Sequence, residues 1–252
     1  MAQSLTQLYA ENRSLIFGHR GAKADAPMNT LPAFELALKQ DADGIELDVH
    51  LSQDGYPVII HDFTVDLTTD GNGRAADMPL AELKELDAGS WFGEAFRGVR
   101  IPTLDEVFAA VGDKLAINVE IKSNSRRTTG CEQVVADRIR HFGLQSSVIV
   151  SSFDPLALRR FRRIMPDVPI GFLYDRDTPR WLHPLMFGLK HEARHPHYTM
   201  IDTEFMAWAK TRGYRVNTWT VNEVEQARKL RELGVDILIS DHPGVIRKAL
   251  YG

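Results

Sequence analysis

The sequence has a single cysteine, Cys131, among its 252 residues. A lone cysteine excludes an internal disulfide and fits a reducing compartment. Two other features are missing: an apolar run of the ~18 residues that a membrane span needs, and a charged leader followed by an apolar core at the start. We therefore expect a soluble cytoplasmic protein with no signal peptide and no stable association with a membrane.

Long runs of one charge are missing as well. Lys and Arg number 30 and Asp and Glu number 34, which gives a formal net charge of −4. Without a basic run, nothing favours nucleic acid as a partner, and none is expected. The hydrophobic fraction of 44% is ordinary for a globular protein. The sequence pattern does not determine the oligomeric state.

From Leu15 onward, short apolar runs alternate with helical patterns. About eight strand–helix pairs in about 235 residues favour a parallel sheet that closes into a barrel. The sequence therefore predicts an α/β fold, a (β/α)8 TIM barrel that spans residues 1–252 as one domain, with its weakest pattern at residues 175–200. The candidate strands cover residues 15–17, 44–49, 115–122, 147–152, 169–174, 192–195, 215–219 and 236–240, and the clearest helical patterns cover residues 104–111 and 131–142.

Residues 64–100 interrupt this alternation. The segment is rich in threonine, aspartate and glycine at residues 68–73 and carries only a short helical pattern at residues 80–86. Thirty-odd residues are too many for a plain loop in a compact domain. We predict that residues 64–100 form a small insertion or lid after the second strand.

The run from Gly44 to Val49 carries two carboxylates two residues apart. Side chains alternate along a strand, so Glu46 and Asp48 share one face, and burying both acids is costly unless a positive charge lies between them. Glu120 occupies a similar strand, and three carboxylates offer only oxygen ligands, which favours a hard cation over zinc. We predict a divalent metal site at these three residues, with Mg²⁺ as the expected ion and Ca²⁺ or Mn²⁺ as alternatives. A solvated strand face that carries acids is the simpler alternative.

Two histidines and two cations follow the same strands. Barrel enzymes place their sites at the C-terminal ends of the strands, where His19, Arg20, His61 and Lys122 are expected. Imidazole titrates near neutral pH, so the two histidines suit a general acid and a general base. Arg20 and Lys122 suit an anionic group, for which a phosphate diester is the natural candidate. The simpler alternatives are a strand-end hydrogen bond for His61 and a plain ion pair between Lys122 and Glu120.

A series of motifs runs in order along nearly the whole chain. They include Gly-His-Arg-Gly at 18–21, Ala-Pro-Met-Asn-Thr at 26–30, Ile-Glu-Leu-Asp-Val at 45–49, Val-Ile-Ile-His-Asp at 58–62, Val-Glu-Ile-Lys at 119–122 and Val-Asn-Thr-Trp-Thr-Val-Asn at 216–222. Together they resemble the motifs of the glycerophosphodiester phosphodiesterase family, and the length and missing leader look like those of its short cytosolic bacterial members. The resemblance implies a (β/α)8 barrel with a small insertion. It also implies metal-dependent cleavage of a small-molecule glycerophosphodiester to sn-glycerol 3-phosphate and an alcohol.

Position by position, the resemblance implies a role for each candidate residue. It implies that His19 and His61 are the acid–base pair. The implied metal ligands are Glu46, Asp48 and Glu120, and the implied phosphate contacts are Arg20 and Lys122. Trp219 looks like the family's aromatic wall for the glycerol or the leaving alcohol, and Phe153 is a second candidate for that wall. A plain core position is the alternative for both aromatic residues.

One position departs from the family pattern, which usually has glutamate where this chain has Met28. A thioether cannot replace a carboxylate toward a hard cation or a basic neighbour, so weaker metal binding or slower turnover is expected if the carboxylate has such a role. Two alternatives to a diesterase stay open: a barrel like the phosphatidylinositol-specific phospholipase C type, and a phosphodiester-binding barrel that Met28 has weakened catalytically. The sequence determines neither the leaving alcohol nor the nucleophile, which is water or the 2-hydroxyl of the substrate.

Overall fold

The computed structural model describes residues 3–123 and 128–252 of the chain. The strands are β1 (Leu15–His19), β2 (Gly44–Leu51), β3 (Pro57–Ile59), β4 (Ala116–Ile121), β5 (Val148–Ser152), β6 (Ile170–Tyr174), β7 (Ala193–Pro196), β8 (Arg215–Thr218) and β9 (Ile237–Ser240). The α-helices are α1 (Leu5–Ala10), α2 (Leu31–Lys39), α3 (Leu80–Leu83), α4 (Leu104–Val111), α5 (Cys131–Phe142), α6 (Pro155–Ile164), α7 (Thr203–Thr211), α8 (Val224–Glu232) and α9 (Pro243–Tyr251). Among the described residues, no helix combines the length and the apolar character that crossing a membrane would require.

Eight parallel strands close into a barrel in the order β1, β2, β4, β5, β6, β7, β8 and β9. Strand β1 completes the ring because it pairs with β2 on one side and with β9 on the other. Strand β3 is antiparallel to β2 and stays outside the ring. The predicted (β/α)8 TIM barrel is therefore confirmed.

The connection from β6 to β7 differs from the other crossovers. Residues 175–192 contain a 3₁₀ helix, Arg180–Met186, where the other crossovers have an α-helix. Pro184 lies inside this helix, and a proline cannot donate the backbone hydrogen bond that an α-helix interior needs. Arg159 of α6 holds the segment by donating hydrogen bonds to the backbone carbonyls of Leu185 and Phe187. The missing α-helix explains why the sequence pattern is weakest here.

Apolar side chains fill the space on both sides of the strands. Ile45 and Val49 of β2 belong to the large cluster that also contains the buried faces of α2, α4, α5 and α6. Inside the barrel, Phe17 of β1 belongs to a separate cluster with Leu5 of α1. The backbone N–H of Leu5 donates to the carbonyl of Ser146, just before β5, so α1 lies at the N-terminal end of the barrel. The C-terminal end is left for polar side chains.

The insertion follows β2 and its antiparallel partner β3, and it leads into α4. It contains α3 and two 3₁₀ helices, Ala75–Asp77 and Glu94–Phe96. Leu83 is part of an apolar cluster that belongs mainly to this segment, and the carboxylate of Asp87 accepts hydrogen bonds from three backbone N–H groups. The segment therefore has a small core of its own, while its role as a lid stays a prediction.

Candidate active site

One cavity of about 220 Å³ opens at the C-terminal ends of the barrel strands. Its walls include every site residue that the sequence predicts except Asp48, which contacts two of them. The predicted residues in the wall are His19, Arg20, Glu46, His61, Glu120, Lys122, Phe153 and Trp219. The barrel thus brings together side chains that lie up to 200 residues apart in the chain.

Three buried carboxylates form the acidic centre of the site. One oxygen atom from each of Glu46, Asp48 and Glu120 lies within 4.8 Å of the other two. Asp48 and Glu120 are directly opposite each other in the register of β2 and β4, so both side chains lie on the same face of the sheet, toward the inside of the barrel. Burial raises the pKa of Glu46 well above its ordinary value, and the charges of Asp48 and Glu120 add to this effect. Burial likewise raises the pKa of Glu120 to about 7.

Asp48 behaves differently from the other two acids. Burial alone would raise its pKa, but the nearby charges of Lys122 and Arg20 outweigh burial and hold the pKa well below its usual range. Asp48 Oδ1 lies 3.4 Å from Lys122 Nζ, and Oδ2 lies 3.2 Å from Arg20 Nε and accepts a hydrogen bond of 2.9 Å from Asn29 Nδ2. Oδ1 accepts no hydrogen bond from any described residue. An anionic, buried oxygen of this kind, beside two crowded acids, fits a hard divalent cation.

His19 is oriented by a carboxylate from the far end of the chain. Its Nδ1 lies 2.7 Å from Asp241 Oδ1, and its Nε2 lies 4.0 Å from Glu46 Oε2. Burial lowers the pKa of His19 to about 4. Although burial opposes it, the hydrogen bond to His19 and the charge of Lys23 help to lower the pKa of Asp241 to about 2. His19 is therefore neutral at pH 7, with Nδ1–H donated to Asp241 and Nε2 free to accept a proton.

We predict that Asp241→Asn lowers kcat by about 10–100-fold, because a side chain that orients a histidine at a metal site has an effect of this size. The hydrogen bond that His19 donates to Asp241 raises the pKa of His19, so without it the limb of the pH–rate profile that depends on His19 should move to lower pH. The matched control is Asp236→Asn, at the opposite end of β9, whose carboxylate pairs with Arg215. An unchanged pH profile in Asp241→Asn, with only a lower melting temperature, would show a purely structural role.

His61 reaches the cavity by a route that differs from the prediction. It follows β3, which runs antiparallel to β2, rather than the C-terminal end of a barrel strand. Because the hairpin turns back, the N–H of Ile60 donates to the carbonyl of Asp48, and His61 arrives at the level of the acids. Its Nδ1 lies 2.6 Å from Asp62 Oδ1, and burial lowers its pKa. With 34% of its side chain exposed, His61 lies nearer the open side than His19 does.

Arg20 connects the acids to Met28. Its backbone has a left-handed φ of 55°, which lets its N–H donate a hydrogen bond of 3.0 Å to Glu46 Oε2. The guanidinium Nη1 lies 3.3 Å from the sulfur of Met28. Met28 therefore contacts the guanidinium group of Arg20. It is not part of the cluster formed by Glu46, Asp48 and Glu120. No carboxylate at position 28 competes for the N–H groups of Arg20.

The two aromatic residues contact each other in the cavity wall. The rings of Phe153 and Trp219 pack edge to face, with centroids 5.6 Å apart. The indole N–H of Trp219 donates to the carbonyl of His195 at 3.0 Å, and its ring also packs against the apolar cluster inside the barrel. Both interpretations of Trp219, as cavity wall and as core residue, thus describe part of its surroundings.

Several site residues were missed by sequence reasoning. Lys23, whose Nζ lies 3.2 Å from Asp241 Oδ1, carries no distinctive local pattern. Asn29 belongs to the motif at 26–30, but the motif does not reveal its hydrogen bond to Asp48. Asp241 was detectable in principle, because it directly follows β9 and therefore lies at the catalytic end of a barrel strand. Asn118 shares the inner face of β4 with Glu120, and only its contact with the cavity singles it out.

Comparison with known proteins gives consistent matches. Residues 19–245 match the model of the glycerophosphoryl diester phosphodiesterase family. A glycerophosphodiester phosphodiesterase of Caldanaerobacter subterraneus subsp. tengcongensis is 42% identical over 234 residues, which cover 92% of this chain and 95% of that protein. A phosphodiesterase of Oleispira antarctica, solved in complex with the product sn-glycerol-3-phosphate, superimposes with a TM-score of 0.84 at 32% identity, covering 97% of this chain and 99% of the other.

A second solved structure leads to the same family. It is a putative glycerophosphoryl diester phosphodiesterase from Silicibacter pomeroyi, with a TM-score of 0.85 at 26% identity over 96% of this chain and 97% of the other. The family match includes β2 to β9 and all the predicted site residues, beginning with His19 at the end of β1. The chain therefore belongs to the glycerophosphoryl diester phosphodiesterase family.

Proposed function

We propose that this chain hydrolyses glycerophosphodiesters to sn-glycerol 3-phosphate and an alcohol in a reaction that requires a divalent metal ion. Its family makes the chain an enzyme, a glycerophosphodiester phosphodiesterase. The observation that carries the metal-dependent mechanism is the cluster of three buried carboxylates with two carboxylate-paired histidines in one cavity. The relative solved with sn-glycerol-3-phosphate supports a small-molecule substrate.

Glu46, Asp48 and Glu120 would hold the ion, for which Mg²⁺ is our expectation. When bound, a divalent ion withdraws negative charge from a phosphate oxygen and stabilises the charge that develops during the reaction. The positively charged side chains of Arg20 and Lys122, beside the acids, complete the site for the phosphate. Burial opposes the charge on Lys122, but Asp48 and Glu120 raise its pKa, so Lys122 stays protonated. Lys122 and Arg20 would therefore bind the phosphate oxygens that face away from the acids.

His19 and His61 would exchange the protons of the reaction. Each has its Nδ1 next to a carboxylate, Asp241 or Asp62, which leaves Nε2 for the substrate. One imidazole would take a proton at Nε2 from the nucleophile, and the other, which has to enter the step protonated at Nε2, would give that proton to the oxygen of the leaving alcohol. With water as the nucleophile, the diester is cleaved in one step. With the glycerol 2-hydroxyl as the nucleophile, a cyclic phosphate forms first and is then hydrolysed.

The segment 64–100 is our candidate for a lid over this single catalytic domain. Thr68 and Ala88 of the segment line a small recess together with Met28 and His61. The segment thus borders the more exposed of the two histidines, which supports a role in contacting the leaving alcohol.

The experiment that tests the function is release of glycerol 3-phosphate from glycerophosphocholine by the purified protein. We expect no release after treatment with EDTA and full recovery when Mg²⁺ or Ca²⁺ is restored. Unchanged release in EDTA would contradict the metal requirement. Activity on intact phosphatidylinositol with none on glycerophosphocholine would favour the phospholipase C type instead, and binding of substrate without release would favour a barrel that Met28 has weakened.

We expect Met28→Glu to raise the KM for glycerophosphocholine about tenfold, the effect of removing a charged hydrogen bond, because the new carboxylate would pair with Arg20 Nη1. The affinity for Mg²⁺ should change little, since Met28 contacts the guanidinium group of Arg20 rather than the acidic cluster. Met28→Gln is the neutral control and should keep the KM of the native protein. A large gain in kcat for Met28→Glu would instead show that methionine weakens catalysis here.

A further inference from the structure

Asn118 is a buried polar residue in the cavity wall for which the mechanism above has no role. It lies on the inner face of β4, two residues before Glu120, and its Cα is opposite that of Glu46 on β2. Only 2% of the residue is exposed, and it lines the same cavity as the histidines and the acids. Asn118 is therefore in direct reach of a molecule that fills the deep end of this cavity.

Both polar atoms of the Asn118 side chain lack a hydrogen-bond partner among the described residues. Buried amides without a partner are rare in proteins, and each calls for a ligand, a water or an ion that completes it. Other polar atoms inside the barrel also lack partners, on Ser151, His195 and Asn217, but none of these residues lines the cavity. Asn217 is already engaged with His195 through a hydrogen bond of 2.9 Å.

The chemistry of the amide indicates what completes it. The amide presents a donor and an acceptor side by side, and an alcohol hydroxyl offers the matching acceptor and donor. The amide is also neutral, so it adds no charge to the three carboxylates beside it. If the phosphate binds at Arg20 and Lys122 as proposed, the more exposed position of His61 would put the leaving alcohol toward the open side. The deep end is then left for the glycerol half.

We propose that Asn118 hydrogen-bonds a hydroxyl group of the glycerol moiety and thereby selects glycerol phosphates over alkyl phosphates of the same size. The inference rests on the proposed function for the identity of the ligand. It makes Asn118 a specificity-determining residue, distinct from the metal ligands and from the acid–base pair.

The test is equilibrium binding of phosphate monoesters by calorimetry in the presence of Mg²⁺. Glycerol 3-phosphate is compared with n-propyl phosphate, which lacks both hydroxyls, and with the two analogues that each lack one. The native protein should prefer glycerol 3-phosphate over propyl phosphate by about 10–100-fold, the usual effect of one buried hydrogen bond that is left unmade. Asn118→Ala and Asn118→Ser should lose most of this preference while still binding propyl phosphate.

Asn217→Ala is the matched control, because it removes a buried barrel amide that does not line the cavity, and it should keep the preference. Retention of the full preference in Asn118→Ala would overturn the inference. A loss of Mg²⁺ affinity in that variant, with all phosphates weakened equally, would also overturn it by making Asn118 a metal ligand. Hydrolysis of glycerophosphocholine by the native protein is measured separately, so a failure of the proposed function is distinguishable from a failure of this inference.

Discussion

Replacing His19 or His61 with alanine should lower kcat for glycerophosphocholine by ~10²–10⁴-fold, the range expected when a positioned acid or base is lost. His19 is buried and neutral, with Nε2 directed toward the acidic cluster, and His61 is the more exposed partner across the cavity. Neither side chain belongs to the acidic cluster, so the affinity for Mg²⁺ should stay close to that of the native protein. The measurement is steady-state kinetics alongside Mg²⁺ titration.

The control for the histidine variants is His141→Ala, which removes an exposed histidine at the end of α5. It should keep the native kcat. The double variant of His19 and His61 should be little worse than the poorer single variant, because residues that act in one proton-transfer sequence are not additive. Near-native kcat in both single variants would eliminate the acid–base assignment.

Loss of a metal ligand should have an effect at least as large. Glu46→Gln, Asp48→Asn and Glu120→Gln should each lower kcat/KM by about 10³-fold or more, because the metal supplies several kcal/mol of charge stabilisation. The metal-free proteins should differ in stability. Asp48→Asn leaves Arg20 and Lys122 without their shared anion, which should cost about 3 kcal/mol. Glu46→Gln relieves crowding among like charges and should not destabilise the protein at pH 7.

The pH dependence of metal binding provides an independent readout. In the absence of metal, the raised pKa values of Glu46 and Glu120 mean that protons occupy part of the cluster near neutral pH. A metal ion must displace those protons, so the affinity for Mg²⁺ should rise with pH through about pH 7. Calorimetry in buffers of different ionisation enthalpy should detect the released protons. Metal binding without proton release between about pH 6 and about pH 8 would contradict the site.

The sequence by itself predicted the barrel and the acidic cluster, because both depend on local regularities. The helices α4 and α5 begin and end where the apolar spacing predicts, since helical periodicity and capping are properties of a few neighbouring residues. Glu46 and Asp48 share a face because side chains alternate along any strand. The regular succession of strands and helices then restricts the topology to a closed parallel barrel.

The tertiary structure alone decided which distant residues complete the site. Asp241 reaches His19 only because β9 closes the ring beside β1, a contact between residues 222 positions apart. The placement of His61 depends on the antiparallel return of β3, and the hydrogen bond from the backbone N–H of Arg20 to Glu46 depends on the left-handed conformation of Arg20. Partners of this kind have no periodic signal in the sequence, because ring closure and chain reversal determine them rather than spacing. For the same reason, the unpaired amide of Asn118 is visible only once the cavity around it has formed.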